Sequence, residues 1–266
     1  MIAPGSRLAV IIASLIVSAH QPSSARQTIV RTPLEIRPHF VLVPVRLDAE
    51  ARAAWRRAVA NDDASALALM LSHHPGGGLV GERAANGKSA LMVACKLGDL
   101  ALAKALVAAG ADPDETGATG GTPFMFAVLG DRRDVARWLH ASGVALDARG
   151  SNGWSAVTIA AAKGLDDTLA WLLGIGALPD VADVYGFTPL MRAVDNGHAA
   201  AARRLLAAGA RVDAADERGN TALHHAVAGG RDGLVELLLE HGADPARANR
   251  DGVAPAALAP AGSPVR

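Results

Sequence analysis

The sequence predicts an all-α solenoid of helix–turn–helix repeats with protruding turns, because one local pattern returns every 33 residues. The first observation is a glycine at that spacing, at Gly87, Gly120, Gly153, Gly186, Gly219 and Gly252. The second is a residue able to start a helix, usually Ser or Thr, two positions after each of these glycines. The third is a further pair of glycines twelve residues apart in most units, such as Gly197 and Gly209. Such an array is typical of proteins that function through a surface rather than a catalytic cleft.

Residues 1–25 have the composition of a secretory signal peptide. Arg7 precedes a small and apolar run of twelve residues, 8–19, which is shorter than the ~20 residues that span a bilayer as a helix. Small residues suited to cleavage end at Ala19 and at Ala25. We therefore predict cleavage after one of these two alanines, and an uncleaved membrane anchor is the alternative.

Residues 26–49 are predicted to form a separate, extended segment. Pro33, Pro38 and Pro44 exclude a helix and push the residues before them into extended conformations. Within the segment, residues 40–43 form a short apolar run, Phe-Val-Leu-Val. The segment is expected to cover the first repeat as a cap, and a strand that binds a partner is the alternative.

Residues 50–266 are predicted to form the repeat domain, with six two-helix units and a C-terminal half-unit as a cap. The first unit is degenerate, because Asp62 and His74 stand twelve residues apart where other units carry glycines. Trp55 takes the place of an aliphatic residue in its first helix. The last unit stops after one helix at Pro260. Atypical terminal units are expected of a solenoid, since their outer faces have no neighbour.

A central unit, residues 186–218, shows why each repeat should fold as two helices. Thr188 can cap the first helix through its hydroxyl, and Pro189 suits the first helical position because its missing N–H costs nothing there. Gly197 ends that helix. A second helix with apolar residues at helical spacing follows and stops at Gly209.

Three segments resemble ankyrin repeats. They are Gly-Phe-Thr-Pro-Leu-Met-Arg-Ala-Val-Asp-Asn-Gly-His at 186–198, Gly-Asn-Thr-Ala-Leu-His-His-Ala at 219–226 and Leu-Leu-Leu-Glu-His-Gly-Ala-Asp-Pro at 237–245. The resemblance covers residues 50–260 and implies an ankyrin-repeat solenoid.

Two units depart from the ankyrin pattern. Asp131 stands where the first helix of its unit should end on glycine. Val157 and Thr158 replace the usual Leu-His pair after the capping serine of another unit. Each departure raises the question of which groups stabilise that helix end.

Composition limits the partners and the compartment. Formal net charge is zero, with 26 basic and 26 acidic residues interspersed, which argues against nucleic acid as the partner. Cys95 is the only cysteine, so no intramolecular disulfide can form, and it is expected to be a small buried hydrophobic residue. Only four of the 26 basic residues are lysine, and together with the abundant alanine this is typical of GC-rich bacteria. With the signal peptide, it predicts an exported bacterial ankyrin-repeat protein, periplasmic or secreted.

No sequence pattern of a known catalytic site is present, so we predict a protein that is not an enzyme and holds no cofactor or metal. The segment Gly76–Gly81 formally matches a dinucleotide-binding motif, but a preceding strand and following helix do not fit here, and a flexible turn is expected instead. His73 and His74 are adjacent and lack a third ligand at metal spacing. The alternative is a metal- or cofactor-associated protein or enzyme that uses these two histidines and the glycine segment.

The concave face and the turn tips are the predicted binding surface. Aromatic residues and arginine are enriched at interface centres. When the repeats are aligned on their glycines, the outward positions of the first helices and the turn tips are occupied by Phe126, Trp154, Ile159, Tyr185, Phe187, Arg192 and His225. On the second helices, Trp138 and Trp171 share a position and are expected to stack on the convex face. We therefore predict a monomer that binds a protein outside the cytoplasm, and contacts a membrane only if the signal is uncleaved.

Overall fold

The structure is a computed structural model that describes residues 49–259 and 264–265, and this part of the chain is a stack of helices. The helices are α1 Ala49–Ala60, α2 Ala64–His73, α3 Ala90–Leu97, α4 Leu100–Ala108, α5 Pro123–Leu129, α6 Arg133–Ala141, α7 Ala156–Lys163, α8 Asp166–Gly174, α9 Pro189–Asp195, α10 Ala199–Ala207, α11 Ala222–Ala228, α12 Asp232–Glu240 and α13 Pro255–Leu258. Over the described ranges no strand forms, and the β pairing is an isolated bridge between Ala215 and Thr221. The predicted all-α repeat solenoid is confirmed.

Two predicted segments lie outside the described residues. They are the signal peptide, residues 1–25, and the extended segment, residues 26–49, apart from the first residue of α1. Among the residues that are described, no helix combines the length and the apolar character that crossing a membrane requires.

The repeats stack through a layer of first helices with a layer of second helices beside it. Helices α3, α5, α7, α9 and α11 each pack on the next, and α13 packs on α11. Helices α8, α10 and α12 pack in the same order in the second layer. One position of the first helix is a fully buried alanine in five successive units: Ala94, Ala127, Ala160, Ala193 and Ala226. A methyl side chain there lets neighbouring first helices approach closely.

The starts of the first helices are capped by different side chains; in α9, for example, the sulfur of Met191 accepts from the Thr188 N–H at 3.5 Å. In α11 the Thr221 N–H donates to Nδ1 of His224 at 3.0 Å, and Nε2 of the same ring bonds to the Val253 carbonyl at 3.0 Å. In α7 the hydroxyl of Thr158 replaces the imidazole and accepts from the Ser155 N–H at 3.3 Å. Thr158 stands where the ankyrin pattern has histidine, but its hydroxyl preserves the reciprocal capping box at the start of this helix.

The ends of the first helices require a left-handed residue. Gly98 has φ of 85° and Gly164 has φ of 65° at this position. Asp131 and Asp62 adopt φ of 54° in the same place, which aspartate tolerates better than most residues. The carboxylate of Asp131 also accepts a 2.6 Å hydrogen bond from the Thr168 hydroxyl in the next unit. The missing glycines are therefore replaced by residues that make a contact glycine could not.

Arginine and histidine side chains join the end of one first helix to the next unit. The guanidinium Nε of Arg132 donates to the Lys96 carbonyl at 3.3 Å, and Arg231 donates to the Asp195 carbonyl. Imidazole Nε2 of His198 bonds to the Ala162 carbonyl at 3.1 Å. These bonds satisfy carbonyls that a helix C-terminus leaves unpaired.

The glycine-containing insertion of the first unit is packed, contrary to the flexible turn that we predicted. Leu79 and Val80 within it are buried and belong to the same apolar core as Trp55. Gly77 has φ of 71°, and a Cβ there would lie 2.1 Å from the carbonyl oxygen of Ala109. The glycine is therefore needed because the turn lies directly against the second helix of the next unit.

Candidate partner-binding face

One position at the base of the turn, called here the turn-base position, makes the same backbone hydrogen bond in the six units that follow the first one. Its N–H donates to the carbonyl four residues later at 2.9–3.0 Å. The residues at this position are Ala84, Gly117, Gly150, Asp183, Asp216 and Asn249. The shared bond shows that these residues are structurally equivalent although their side chains differ.

The residue nine positions later lies on the first helix and changes together with the turn-base residue. It is apolar where the turn base is Ala or Gly, at Val93, Phe126 and Ile159. It is cationic where the turn base is Asp, at Arg192 and His225. The face formed by the turns and the first helices therefore has an apolar half, defined by Phe126, Trp154 and Ile159, and a charged half, defined by Asp183, Arg192, Asp195, Asp216 and His225.

The buried carboxylate of Asp183 organises one part of the charged half. Its side chain is 0% exposed. One carboxylate oxygen accepts from the Tyr185 N–H at 2.9 Å and the Phe187 N–H at 3.0 Å. The other accepts from Nε of Arg192 at 3.1 Å and from its Nη2. A buried carboxylate with this number of donors holds the turn and the arginine in one geometry.

Arg192 and three rings form a continuous stack across the face. The guanidinium carbon lies 4.3 Å from the ring centroid of Phe187 and 5.2 Å from that of Trp154. Phe187 also contacts the His225 ring, with centroids 4.9 Å apart and the ring planes tilted by 53°. The order Trp154–Arg192–Phe187–His225 therefore crosses three successive units, and cation–π attraction contributes to it.

His225 lies between two carboxylates. Its Nδ1 is 3.1 Å from Oδ1 of Asp195 and its Nε2 is 3.2 Å from Oδ2 of Asp216. Burial disfavours the charged imidazolium, but the hydrogen bond to Asp195 and the charges of both carboxylates outweigh it, so the pKa of His225 is raised. The pKa of Asp195 is lowered, because its bond to His225 and nearby cations outweigh its own burial.

The apolar half contains a cavity of about 310 Å³. Phe126, Trp154 and Ile159 contribute to its walls. Gly121 and Gly150 also line it, and a Cβ on Gly121 would lie 3.2 Å from the Phe126 ring. The glycine at the turn base thus leaves space where Asp183 and Asp216 place carboxylates in later units.

The structure brings the seven predicted site residues together in two groups. Phe126, Trp154 and Ile159 line the apolar cavity, and Tyr185, Phe187 and His225 line a second cavity beside Asp216. Trp154 and Arg192 join the two groups through the stack. Tyr185 is the most accessible of the seven, with 61% of its surface exposed.

One placement was wrong. We assigned Ile159 to an outward position, but it is only 7% exposed. The first helix packs so closely on its neighbours that this position faces partly into the stack, and Val93 at the same position is fully buried. Ile159 can therefore act as the floor of the cavity, not as a protruding contact.

Sequence reasoning missed the three aspartates of the charged half. Asp183, Asp195 and Asp216 decide which cations are held and how, yet each occurs in a turn or helix end where aspartate is common. The signal that could have identified them is the repeated spacing of nine residues from Asp183 to Arg192 and from Asp216 to His225.

The predicted stack of two tryptophans on the convex face was also wrong. The Trp171 ring meets Phe124 at 6.2 Å and His140 at 6.1 Å between centroids. Arg137, and not Trp138, lies over it at 6.0 Å. The Trp171 side chain therefore turns back toward the first helix of the previous unit.

The residues of the alternative hypothesis have local structural contacts. His73 ends α2, and the backbone N–H of His74 donates to two carbonyls of that helix. Within the described ranges no group of three or more His, Cys, Asp or Glu side chains is placed to hold a metal ion. Cys95 is fully buried, and burial raises the pKa of its thiol to about 12, which disfavours a nucleophilic thiolate.

The repeated helix pairs and the continuous face across several units define a helical-repeat scaffold. The chain belongs to the ankyrin-repeat family: the family model described as "Ankyrin repeats (3 copies)" matches residues 55–150, 91–183, 139–216 and 157–249. Ankyrin repeats are generally protein–protein interaction modules, and the fold is typically a non-enzymatic scaffold.

Solved structures give the same result. The ankyrin-repeat domain of Bcl-3, described as a unique member of the IkappaB protein family, matches with a TM-score of 0.66 and 28% sequence identity. The match covers 79% of this chain and 95% of the Bcl-3 chain. No curated protein matches this sequence.

Proposed function

We propose that this protein is a non-enzymatic binding module that holds a partner protein on its concave face and turn tips. The observation that carries the proposal is the stack of Trp154, Arg192, Phe187 and His225, next to the apolar cavity and to the exposed Tyr185. Such side chains give a large contact area with little conformational entropy to lose, and truncating one at an interface centre typically costs ~2 kcal/mol or more.

The ion pairs within the face make it ready for binding before a partner arrives. Asp183 and Asp216 fix Arg192 and His225, so the rings between them are held in place. A rigid surface loses less conformational freedom on association than a mobile one. The partner therefore meets a surface that needs little rearrangement.

We also propose that the protein acts outside the bacterial cytoplasm, as a monomer. The proposal rests on Arg7 and the apolar run of residues 8–19, together with the alanine- and arginine-rich composition. The balanced net charge supports a protein rather than a nucleic acid as partner.

The test is capture of partners from a periplasmic extract by the mature protein and two matched variants. Tyr185→Ala removes an exposed ring from the face, and Leu69→Ala removes a side chain of α2 that is 60% exposed elsewhere. Neither truncation disturbs the core, so both variants should keep the melting temperature of the wild type. Tyr185→Ala should weaken capture at least tenfold, and Leu69→Ala should leave it unchanged. Equal capture by all three proteins would contradict the proposed face.

A further inference from the structure

The cavity in the apolar half has no carboxylate in its walls. Its lining consists of Met125, Phe126, Leu129, Trp154 and Ile159 with small and neutral polar residues around them. In the two units that follow, the turn-base position carries Asp183 and Asp216. At the cavity this position carries Gly150, which opens the space and removes the negative charge. The absence of acidic groups is thus a direct consequence of glycine at the turn base.

Two cations near this cavity are bonded to carbonyls and not to carboxylates. The ammonium Nζ of Lys163 donates to the carbonyl of Leu129, a wall residue, at 2.9 Å. Arg149 precedes Gly150 and donates from Nε to the Gly153 carbonyl at 3.2 Å and from Nη2 to the Ala182 carbonyl. Both side chains are exposed, and in the described part of the chain neither forms an ion pair.

The charged half behaves differently. Arg192 is paired with Asp183, and His225 is paired with both Asp195 and Asp216. Beside the apolar cavity, by contrast, Lys163 and Arg149 bond to backbone carbonyls and have no carboxylate partner among the described residues. Such a site attracts a ligand that combines an apolar group with negative charge.

We propose that the cavity receives one bulky apolar side chain from an acidic segment of the partner protein. Carboxylates on either side of this anchor residue meet Lys163 and Arg149. The inference rests on the proposed function, because it specifies the chemistry of a protein partner on the same face. The buried anchor supplies most of the affinity, and the flanking charges supply orientation and salt dependence.

The test uses three synthetic peptides of equal length and the mature protein, with binding followed by fluorescence anisotropy at low and high salt. One peptide carries phenylalanine flanked by Asp and Glu, the second carries phenylalanine flanked by lysines, and the third has alanine between the acidic flanks. The acidic phenylalanine peptide should bind at least tenfold more tightly than either of the others. Its advantage over the lysine peptide should shrink at high salt, because the flanking contacts are exposed to solvent.

Two exposed positions provide variants that should fold normally. Thr119→Trp places a large ring at the mouth of the cavity and should reduce the affinity for the acidic phenylalanine peptide at least tenfold. Lys163→Glu should weaken it at least fivefold at low salt and less at high salt. Lys104→Glu, an equal charge change on the exposed side of α4, is the matched control and should leave binding unchanged.

The outcomes separate this inference from the proposed function. If the phenylalanine peptide with lysine flanks binds as tightly as the one with acidic flanks, the proposal that the partner segment is acidic is wrong. Binding that survives Thr119→Trp overturns the cavity as the anchor site. Tight binding of single-stranded DNA that competes with the peptide overturns a protein segment in favour of a general anion. In each case loss of partner capture by Tyr185→Ala would still support the face as a protein-binding surface.

Discussion

At the scale of single residues, two positions of the repeat change together from one unit to the next. Glycine at the turn base is combined with an apolar residue nine positions later, as in Gly150 and Ile159. Aspartate there is combined with a cation, as in Asp183 and Arg192. A buried carboxylate is costly unless charged and hydrogen-bonding partners surround it, so the two positions must change together.

The first prediction concerns this pairing. Arg192→Ala should destabilise the protein by about 3 kcal/mol, since it leaves the fully buried Asp183 carboxylate without a counter-charge. The double variant Asp183→Asn with Arg192→Ala should recover part of the loss, because an amide oxygen can still accept the turn N–H groups, as Asn249 does in its own turn. Urea unfolding of the two variants and the wild type measures the coupling. If the double variant is less stable than the single one, the buried charge is not the cause.

The second prediction concerns pH. The pKa of His225 is raised in the folded protein from 6.5, so its stabilising effect is complete below about pH 6.5 and is lost as the pH rises through the raised value. The lowered pKa of Asp195 affects stability at acidic pH. Its stabilising contribution is present above pH 3.8 and is lost as the pH falls below that value. The unfolding free energy of the wild type, relative to His225→Gln, should therefore be larger at pH 6 than at pH 9.

Urea unfolding at a series of pH values checks this, and subtracting the variant removes the contribution of the other histidines. A difference that stays constant from pH 6 to pH 9 would mean that folding does not raise the pKa of His225.

At the scale of the helices, stability depends on the interfaces between units. The buried alanine of each first helix lies where neighbouring first helices pack, and these contacts join α5, α7 and α9. Some alanines of the second helices are exposed to solvent and do not lie between closely packed helices, as at Ala200 of α10. The same residue type therefore has a strict steric role in one layer and little role in the other.

The third prediction follows from this difference. Ala160→Leu should destabilise the protein by about 1–3 kcal/mol, because a larger side chain must separate α7 from its neighbours. Ala200→Leu makes the same chemical change on an exposed helix surface and should change stability by less than about 0.5 kcal/mol. Thermal unfolding of the two variants gives the comparison, and equal losses would show that the interfaces between units accept larger side chains.

At the scale of the whole molecule, the six units after the first repeat the same turn-base hydrogen bond while the side chains around it change, so their turns and first helices form one continuous face. The stack from Trp154 to His225 joins side chains of three successive units. A repeat scaffold can therefore assemble one binding surface from several units without forming a cleft.

The fourth prediction concerns export. Mass spectrometry of the protein recovered from the periplasm or medium should give an N-terminus at His20 or Arg26. Replacing the apolar residues Ile11 and Ile12 by lysine should interrupt the apolar run and keep the chain in the cytoplasm at full length. Recovery of chains that still begin at Met1 from the membrane fraction of wild-type cells would indicate a tethered protein instead.

The sequence by itself determined the period, the helix pairs and the family, because these depend on caps, glycines and apolar spacing within each unit. It also identified Tyr185 and Arg192 as surface candidates, since the register places them without knowledge of their neighbours.

Only the tertiary structure decided how these residues act. It buried Ile159, paired Arg192 with Asp183 and turned Trp171 toward Phe124. Each of these outcomes depends on how one unit is rotated and spaced against the next. Local sequence patterns act within a unit, and the distance between two side chains of different units is set by the packing of the helices between them.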